Sequence, residues 1–163
     1  MPAICLQKSP FEPPSFPITA KGYLVSKKTK QAPDLCPCGG YQGKTLFKDC
    51  CEPILSGEQS ASNAERLMRS RYSAYVHSNE HYLLNTWHPQ SRPTALELDD
   101  SMQQWLGLTV HEFHEIDADH QEVSFTAKYK HNGRAFKMRE HSRFVKEDDK
   151  WFYVDGDDLS DTV

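Results

Sequence analysis

Cys36, Cys38, Cys50 and Cys51 fall within sixteen residues as Cys-Pro-Cys, eleven residues, Cys-Cys. Thiolate sulfur is a preferred ligand of zinc, and structural zinc sites fill four tetrahedral positions with such groups. Two cysteines one residue apart on a turn can both face one ion. The adjacent pair needs an irregular backbone at a helix end to turn both sulfurs inward. Gly39, Gly40 and Gly43 supply permissive backbone between the pairs, and Lys44 and Lys48 could offset the −2 charge of a four-thiolate zinc centre. With every position filled by protein there is no place for water, so one such zinc ion would be structural rather than catalytic. The alternative reading of the same residues is four free thiols, or a disulfide. Cys5 is an unassigned fifth thiol.

The second group that could do chemistry is Glu140, and its significance depends on the elements around it. Val123, Phe125, Ala127 and Tyr129 alternate with polar residues, as do Phe136, Met138 and Phe144, and Asn132-Gly133 joins the two runs. That dipeptide favours a two-residue hairpin turn. The register then sets Tyr129 opposite Phe136, Ala127 opposite Met138, Phe125 opposite Glu140 and Val123 opposite Ser142. Glu140 therefore shares a face with apolar residues, where a carboxylate must be paired or protonated. Strands at about 105–116 and 150–155 extend the hairpin into a four-stranded antiparallel meander, with a bulge expected near 111–112 because Leu108 and Phe113 take opposite phases.

Ser62-Asn63-Ala64-Glu65 has capping-box spacing, and Leu67, Met68, Tyr72, Tyr75 and Val76 recur at helical intervals to about residue 78. Arg71 lies inside that apolar stripe and is the natural partner of Glu140, with Arg69 on its flank as second choice. Segments 80–87 and 94–104 read as further short helices. Helices followed by a curved sheet define an α+β cone, with the helices closing one sheet face. Arg69, Arg71, Tyr72, Trp87, His88, Glu140 and Ser142 are then the candidate pocket residues, Glu140 as ligand anchor or general base and His88 or Tyr72 as helper. The opposing reading is an internal salt bridge fixing helix to sheet. No nucleophile, base and orienting group emerge as a set. His111, His114 and His120 lack metal-ligand spacing on a strand and read as solvated positions.

The chain of 163 residues is 37% hydrophobic and 26% charged, the composition of a folded globular protein. Six of its ten prolines lie in residues 1–33, which excludes a long helix there and marks a basic arm. Residues 1–35 carry five lysines against Glu12 and Asp34, a segment of +3 before a body of −7 in a chain of −4. That balance argues against duplex binding. No apolar run reaches the ~20 residues of a membrane span and no signal peptide is evident, so the expected location is cytoplasmic. The Asp155–Asp161 acidic run reads as a solvated tail.

Cys36-Pro37-Cys38-Gly39-Gly40 with Phe47-Lys48-Asp49-Cys50-Cys51 resembles the SEC-C motif, the zinc module also found on the preprotein translocase ATPase. Residues 67–75, 82–89, 105–108 and 140–144 resemble blocks of the bacterial YchJ-like family, in which that motif precedes a nuclear-transport-factor-like cone. The similarity spans about residues 34–156. It implies a SEC-C zinc module at 34–57 and a nuclear-transport-factor-like domain at 60–158, between the proline-rich arm at 1–33 and an acidic tail at 159–163. Residues 40–45 hold an insertion relative to the usual motif, the C-terminal second cysteine motif of many members is absent, and the arm has no counterpart. The implied role is an adaptor whose zinc module docks a protein partner, with a ribosomal or nucleic-acid target left open. The alternative is a small-molecule binder or enzyme using the cone cavity. A homodimer through the open sheet face, which carries Ser124, Thr126, Arg139 and His141, is neither demanded nor forbidden.

Overall fold

The structure is a computed structural model that describes residues 34–96, 98 and 103–160. The arm, Cys5 and residues 161–163 lie outside these. After a 3-10 turn at Phe47–Asp49 come α1 (Glu52–Leu55), α2 (Ala64–Val76) and α3 (Glu80–Asn85). Strands β1 (Gln103–Glu115), β2 (His120–His131), β3 (Arg134–Glu147) and β4 (Lys150–Asp158) follow. They form one antiparallel sheet in the order β1-β2-β3-β4. The architecture is α+β, as the sequence leads one to expect.

The β2–β3 register is the one the Asn132-Gly133 turn dictates, with His131 opposite Arg134, Phe125 opposite Glu140 and Val123 opposite Ser142. Asn132 and Gly133 both take positive φ, at 49° and 76°, as a primed turn requires. The expected bulge is present between Val110 and Glu112, and a second lies between Trp105 and Gly107. Each returns an apolar run to the inner face and adds curvature.

α2 lies across the inner sheet face and buries Ala64, Leu67, Met68, Tyr72 and Ala74. Burial of a side chain such as Leu67 is worth about 1.5–3 kcal/mol. Its N-cap is Asn63, one residue beyond the expected Ser62, and the Asn63 side chain accepts the Arg66 N–H at 2.8 Å. The Ala64 N–H is satisfied from β2, by Gln121 Oε1 at 2.8 Å. Glu65, the expected other half of a capping box, instead pairs with Arg69 one turn on.

Two further expectations are corrected. Residues 94–96 and 98 are not helical and 103–104 already belong to β1, so no helix spans 94–104. Within the acidic run, Asp155–Asp158 belong to β4 rather than to a tail. A register shift beside Phe144 aligns Asp155 with Arg143 and Asp157 with His141. Arg143 in turn donates hydrogen bonds to both Asp155 and Asp157.

Candidate metal centre and ligand cavity

Leu35 and Leu46 bridge antiparallel, and Cys36 N–H bonds Thr45 O at 2.8 Å, so the first cysteine pair sits on the turn of a small ribbon. Cys50 closes the 3-10 turn with irregular angles (φ −126°, ψ −87°), and Cys51 is the N-cap of α1. That break points both neighbouring sulfurs inward. Gly40 at φ 86° is needed for close approach as well as for conformation, because a Cβ there would land on the Gly43 carbonyl.

The four sulfurs lie within 4.8 Å of one another and all four residues are buried. The Sγ–Sγ separations are 3.4 Å for Cys36–Cys38, 3.6 Å for Cys38–Cys51, 3.7 Å for Cys38–Cys50 and 3.9 Å for Cys50–Cys51. A zinc–sulfur bond of about 2.3 Å gives a tetrahedron with edges of about 3.8 Å. The donor set therefore fits one tetrahedral ion and contains no disulfide. Hydrogen bonds with Cys38 and Cys51 hold the Cys36 thiol far down, while the same bonding to Cys36 pushes Cys38 up to about 12 and Cys51 higher still. A central cation is what lets all four ionise together.

The positive groups beside the cluster come from α2. Arg66 Nη1 donates to Cys50 Sγ at 3.8 Å and Nη2 to Cys50 O at 3.2 Å, and Arg69 Nη1 donates to Cys38 O at 3.0 Å. Lys44 and Lys48 are solvent-exposed. Ser73, also on α2, lies 3.7 Å from Cys36 Sγ. The cysteines share one apolar cluster with Leu67, Met68, Tyr72 and Val123. The cysteine cluster and the cone thus have a common core.

Between α2 and the inner sheet face is a cavity of ≈ 380 Å³. Of the candidate pocket residues, Arg71, Tyr72, Trp87, Glu140 and Ser142 line it. Arg69 faces the cysteine module instead. His88 stands outside the cavity: its Nδ1 accepts the Gln90 N–H at 3.3 Å, which leaves Nε2 as donor to Glu147 at 3.3 Å.

Arg71 and Glu140 are not a direct ion pair. Arg71 Nη1 donates to Leu83 O and to Thr86 Oγ1, both at 2.8 Å, and so caps the C-terminal end of α3. Its guanidinium lies over the rings of Trp87, 5.1 Å away, and Tyr153, 4.7 Å away, which themselves meet edge to face at 4.9 Å. Tyr153 connects the two charged groups, since its hydroxyl donates to Glu140 Oε1 at 3.0 Å, where Ser142 also donates at 2.6 Å. Gly156 makes room for this arrangement, because a Cβ there would collide with the Glu140 side chain. Tyr153 itself is held by backbone bonds to Thr86 and His88, which cover the edge of β4. Burial drives the Arg71 guanidinium below its ordinary pKa and raises the phenols of Tyr72, Tyr75 and Tyr153, the first to about 12. These phenols stay protonated near neutrality. The Trp87 Nε1–H is buried and lacks a hydrogen-bond partner among the described residues.

Sequence reasoning missed Tyr153, whose role depends on β4 running beside β3, and Arg66, whose target is sixteen residues away. It also missed a chain on the outer sheet face, where Ser124 Oγ lies 2.8 Å from His141 Nδ1 and His141 Nε2 lies 3.1 Å from Glu122 Oε2. Register alone would have revealed it, since Ser124 is opposite His141. β2 and β3 are both interior strands, so their ladders consume the backbone N–H groups that could stabilise an oxyanion. The chain is a cross-strand polar contact.

Residues 63–156 match the family described as YchJ, middle NTF2-like domain. The chain belongs to that family. A UPF0225 protein of Polaromonas naphthalenivorans is 45% identical over 131 residues, covering 75% of this chain and 96% of the relative. A UPF0225 protein of Xanthomonas campestris is 48% identical over 124 residues, covering 75% and 93%. The solution structure of a SEC-C motif containing protein from Rhodopseudomonas palustris aligns with a TM-score of 0.65 at 31% identity, covering 77% of this chain and 98% of that one. A crystal structure of a SEC-C motif containing protein from Psychrobacter arcticus gives 0.63 at 27% identity, covering 78% and 84%. The YchJ-like family and its nuclear-transport-factor-like cone, anticipated from the sequence blocks, are thereby established. No described helix is long and apolar enough to cross a membrane.

Proposed function

We propose that the protein binds a small organic molecule in the cone cavity, and that the four cysteines hold one structural zinc ion that fixes α2, a wall of that cavity. The observation that carries the reading is the cavity itself, ≈ 380 Å³ of space lined by aromatic residues and by the buried Arg71. Small-molecule sites have this character: concave, mostly apolar, with a few convergent polar groups. A domain that used only its outer surface would be expected to fill this volume with side chains. The zinc assignment is supported by the sulfur spacing and by four protein ligands, which leave no position for water. Closely spaced reduced thiols also fit a reducing compartment such as the cytoplasm.

The test is NMR titration with fluorinated aromatic probes that are anionic, neutral and cationic, followed through the methyl groups of Met68 and Met138 on the cavity wall. Saturable binding of at least one probe with shifts of both methyls is expected. Absence of binding by all three would overturn the reading.

A docking role for the cysteine module has one specific support, the exposure of Leu35, 45% accessible, on its ribbon. Leu35→Ser should then abolish capture of a protein or ribosomal partner while leaving metal content unchanged. Retention of the partner would remove that role.

A further inference from the structure

Arg71 is only 6% exposed, yet among the described residues it pairs with no carboxylate. Guanidinium does not give up its proton in proteins, so a full positive charge is held in an apolar site. Carbonyl and hydroxyl acceptors at Nη1 and two ring faces offset part of that cost. The described hydrogen bonds use Nη1 alone, leaving Nε and Nη2 unengaged. Beside it the Trp87 Nε1–H is buried and unsatisfied, an uncommon state for an indole in a folded protein. A buried unpartnered donor and a buried cation therefore meet on one wall. They call for an acceptor carrying negative charge.

The remainder of the cavity limits what can carry that charge. Met68, Tyr72, Trp105, Phe125, Met138 and Phe144 present apolar and aromatic surface, which suits a flat hydrophobic body. Glu140 also lines the space, and a dianion such as a phosphate monoester would face one guanidinium while being repelled by that carboxylate. A monoanion is matched by Arg71 alone. At ≈ 380 Å³ the cavity is near the lower end of ligand pockets, of the size that takes a single ring system with a short side chain.

We propose that the ligand is a small aromatic carboxylate, its carboxylate against Arg71 and the Trp87 N–H and its ring among Tyr72, Trp105 and Phe125. This rests on the cavity reading above and specifies the class of ligand. Only Oε1 of Glu140 is engaged by Tyr153 and Ser142, so Oε2 remains to accept from a hydroxyl or amine on the ring. Hydroxylated aromatic acids should accordingly bind more tightly than their unsubstituted parents.

The test compares 4-fluorophenylacetate, 4-fluorophenylacetamide and 4-fluorophenethylammonium by ¹⁹F NMR. A hydrogen bond to a charged group contributes about 1.5–3 kcal/mol, so the acid should bind about tenfold or more tightly than the amide, with the amine weakest. Arg71→Met should erase the preference for the acid. Should that variant fail to fold, Trp87→Phe retains the ring contact with Arg71 and should weaken the acid severalfold without affecting the amine. Equal binding of acid and amide, preference for the amine, or an unaffected acid in Trp87→Phe would overturn the carboxylate class while leaving the cavity reading intact. Failure of all three probes would remove both.

Discussion

At the scale of single residues, Arg66 ties the helical wall to the cysteine cluster. Its donation to Cys50 Sγ orients a ligand and lowers the charge density of the cluster. If the cluster holds the proposed zinc ion, Arg66→Met should weaken its binding by about 10–100-fold in chelator competition, the range for losing an outer-shell partner; unchanged affinity would reduce Arg66 to a surface contact. Asp157 offers a pH test. Its hydrogen bond from Arg143 holds the carboxyl below its ordinary value of 3.8. A depressed carboxyl stabilises the fold above the unfolded pKa, and that contribution is lost as pH falls through the lower folded value. In Arg143→Met the Asp157 midpoint, followed by carboxyl ¹³C NMR, should rise toward 3.8, and an unmoved midpoint would contradict the pairing. The residue chemistry was partly legible beforehand. The four cysteines announce themselves by spacing, and Arg71 and Glu140 by standing inside apolar patterns. Their separation by Tyr153 was not legible, because Tyr153 alternates like any strand aromatic and reaches Glu140 only through the β3–β4 pairing.

At the scale of elements, the β2–β3 hairpin was readable to the residue because turn chemistry and period-two alternation select the same register. The segment between α3 and β1 misled the helical reading. Leu96 is held there by a hydrogen bond from its N–H to Glu80 Oε1 at 2.9 Å, so a tertiary contact replaces the expected helical one. The acidic residues of β4 likewise look like a tail until the register shift beside Phe144 sets them opposite Arg143 and His141. That shift also brings Gly156 beside Ser142, leaving room for the Glu140 carboxyl. Gly156→Ala should expel Glu140 from its bonds with Tyr153 and Ser142 and cost about 1–3 kcal/mol by overpacking, measured by urea denaturation. Stability equal to wild type would show that Glu140 does not depend on that gap.

At the scale of the molecule, the cysteine cluster is not an appendage. It shares an apolar core with Leu67, Tyr72 and Val123, so metal loss should propagate into the cone. Cys38→Ser, or chelation of the wild type, should lower Tm by roughly 10 °C or more, each kcal/mol being worth about 2–4 °C in a chain of this size. The near-ultraviolet circular dichroism of Tyr72 and Trp105, which pack edge to face at 5.6 Å, should fade in the same transition. A cone that melts unchanged without metal would separate the two modules. The space between α2 and the sheet is the proposed ligand site. Val76 is only half-buried and lines that space, which makes Val76→Phe the most direct test, read by Tm and by titration with 4-fluorophenylacetate. The account predicts a Tm equal to or above that of the wild type, because the added carbons enter empty volume, together with loss of probe binding. A protein destabilised by the ~1–3 kcal/mol of an overpacked core, with the probe still bound, would contradict it.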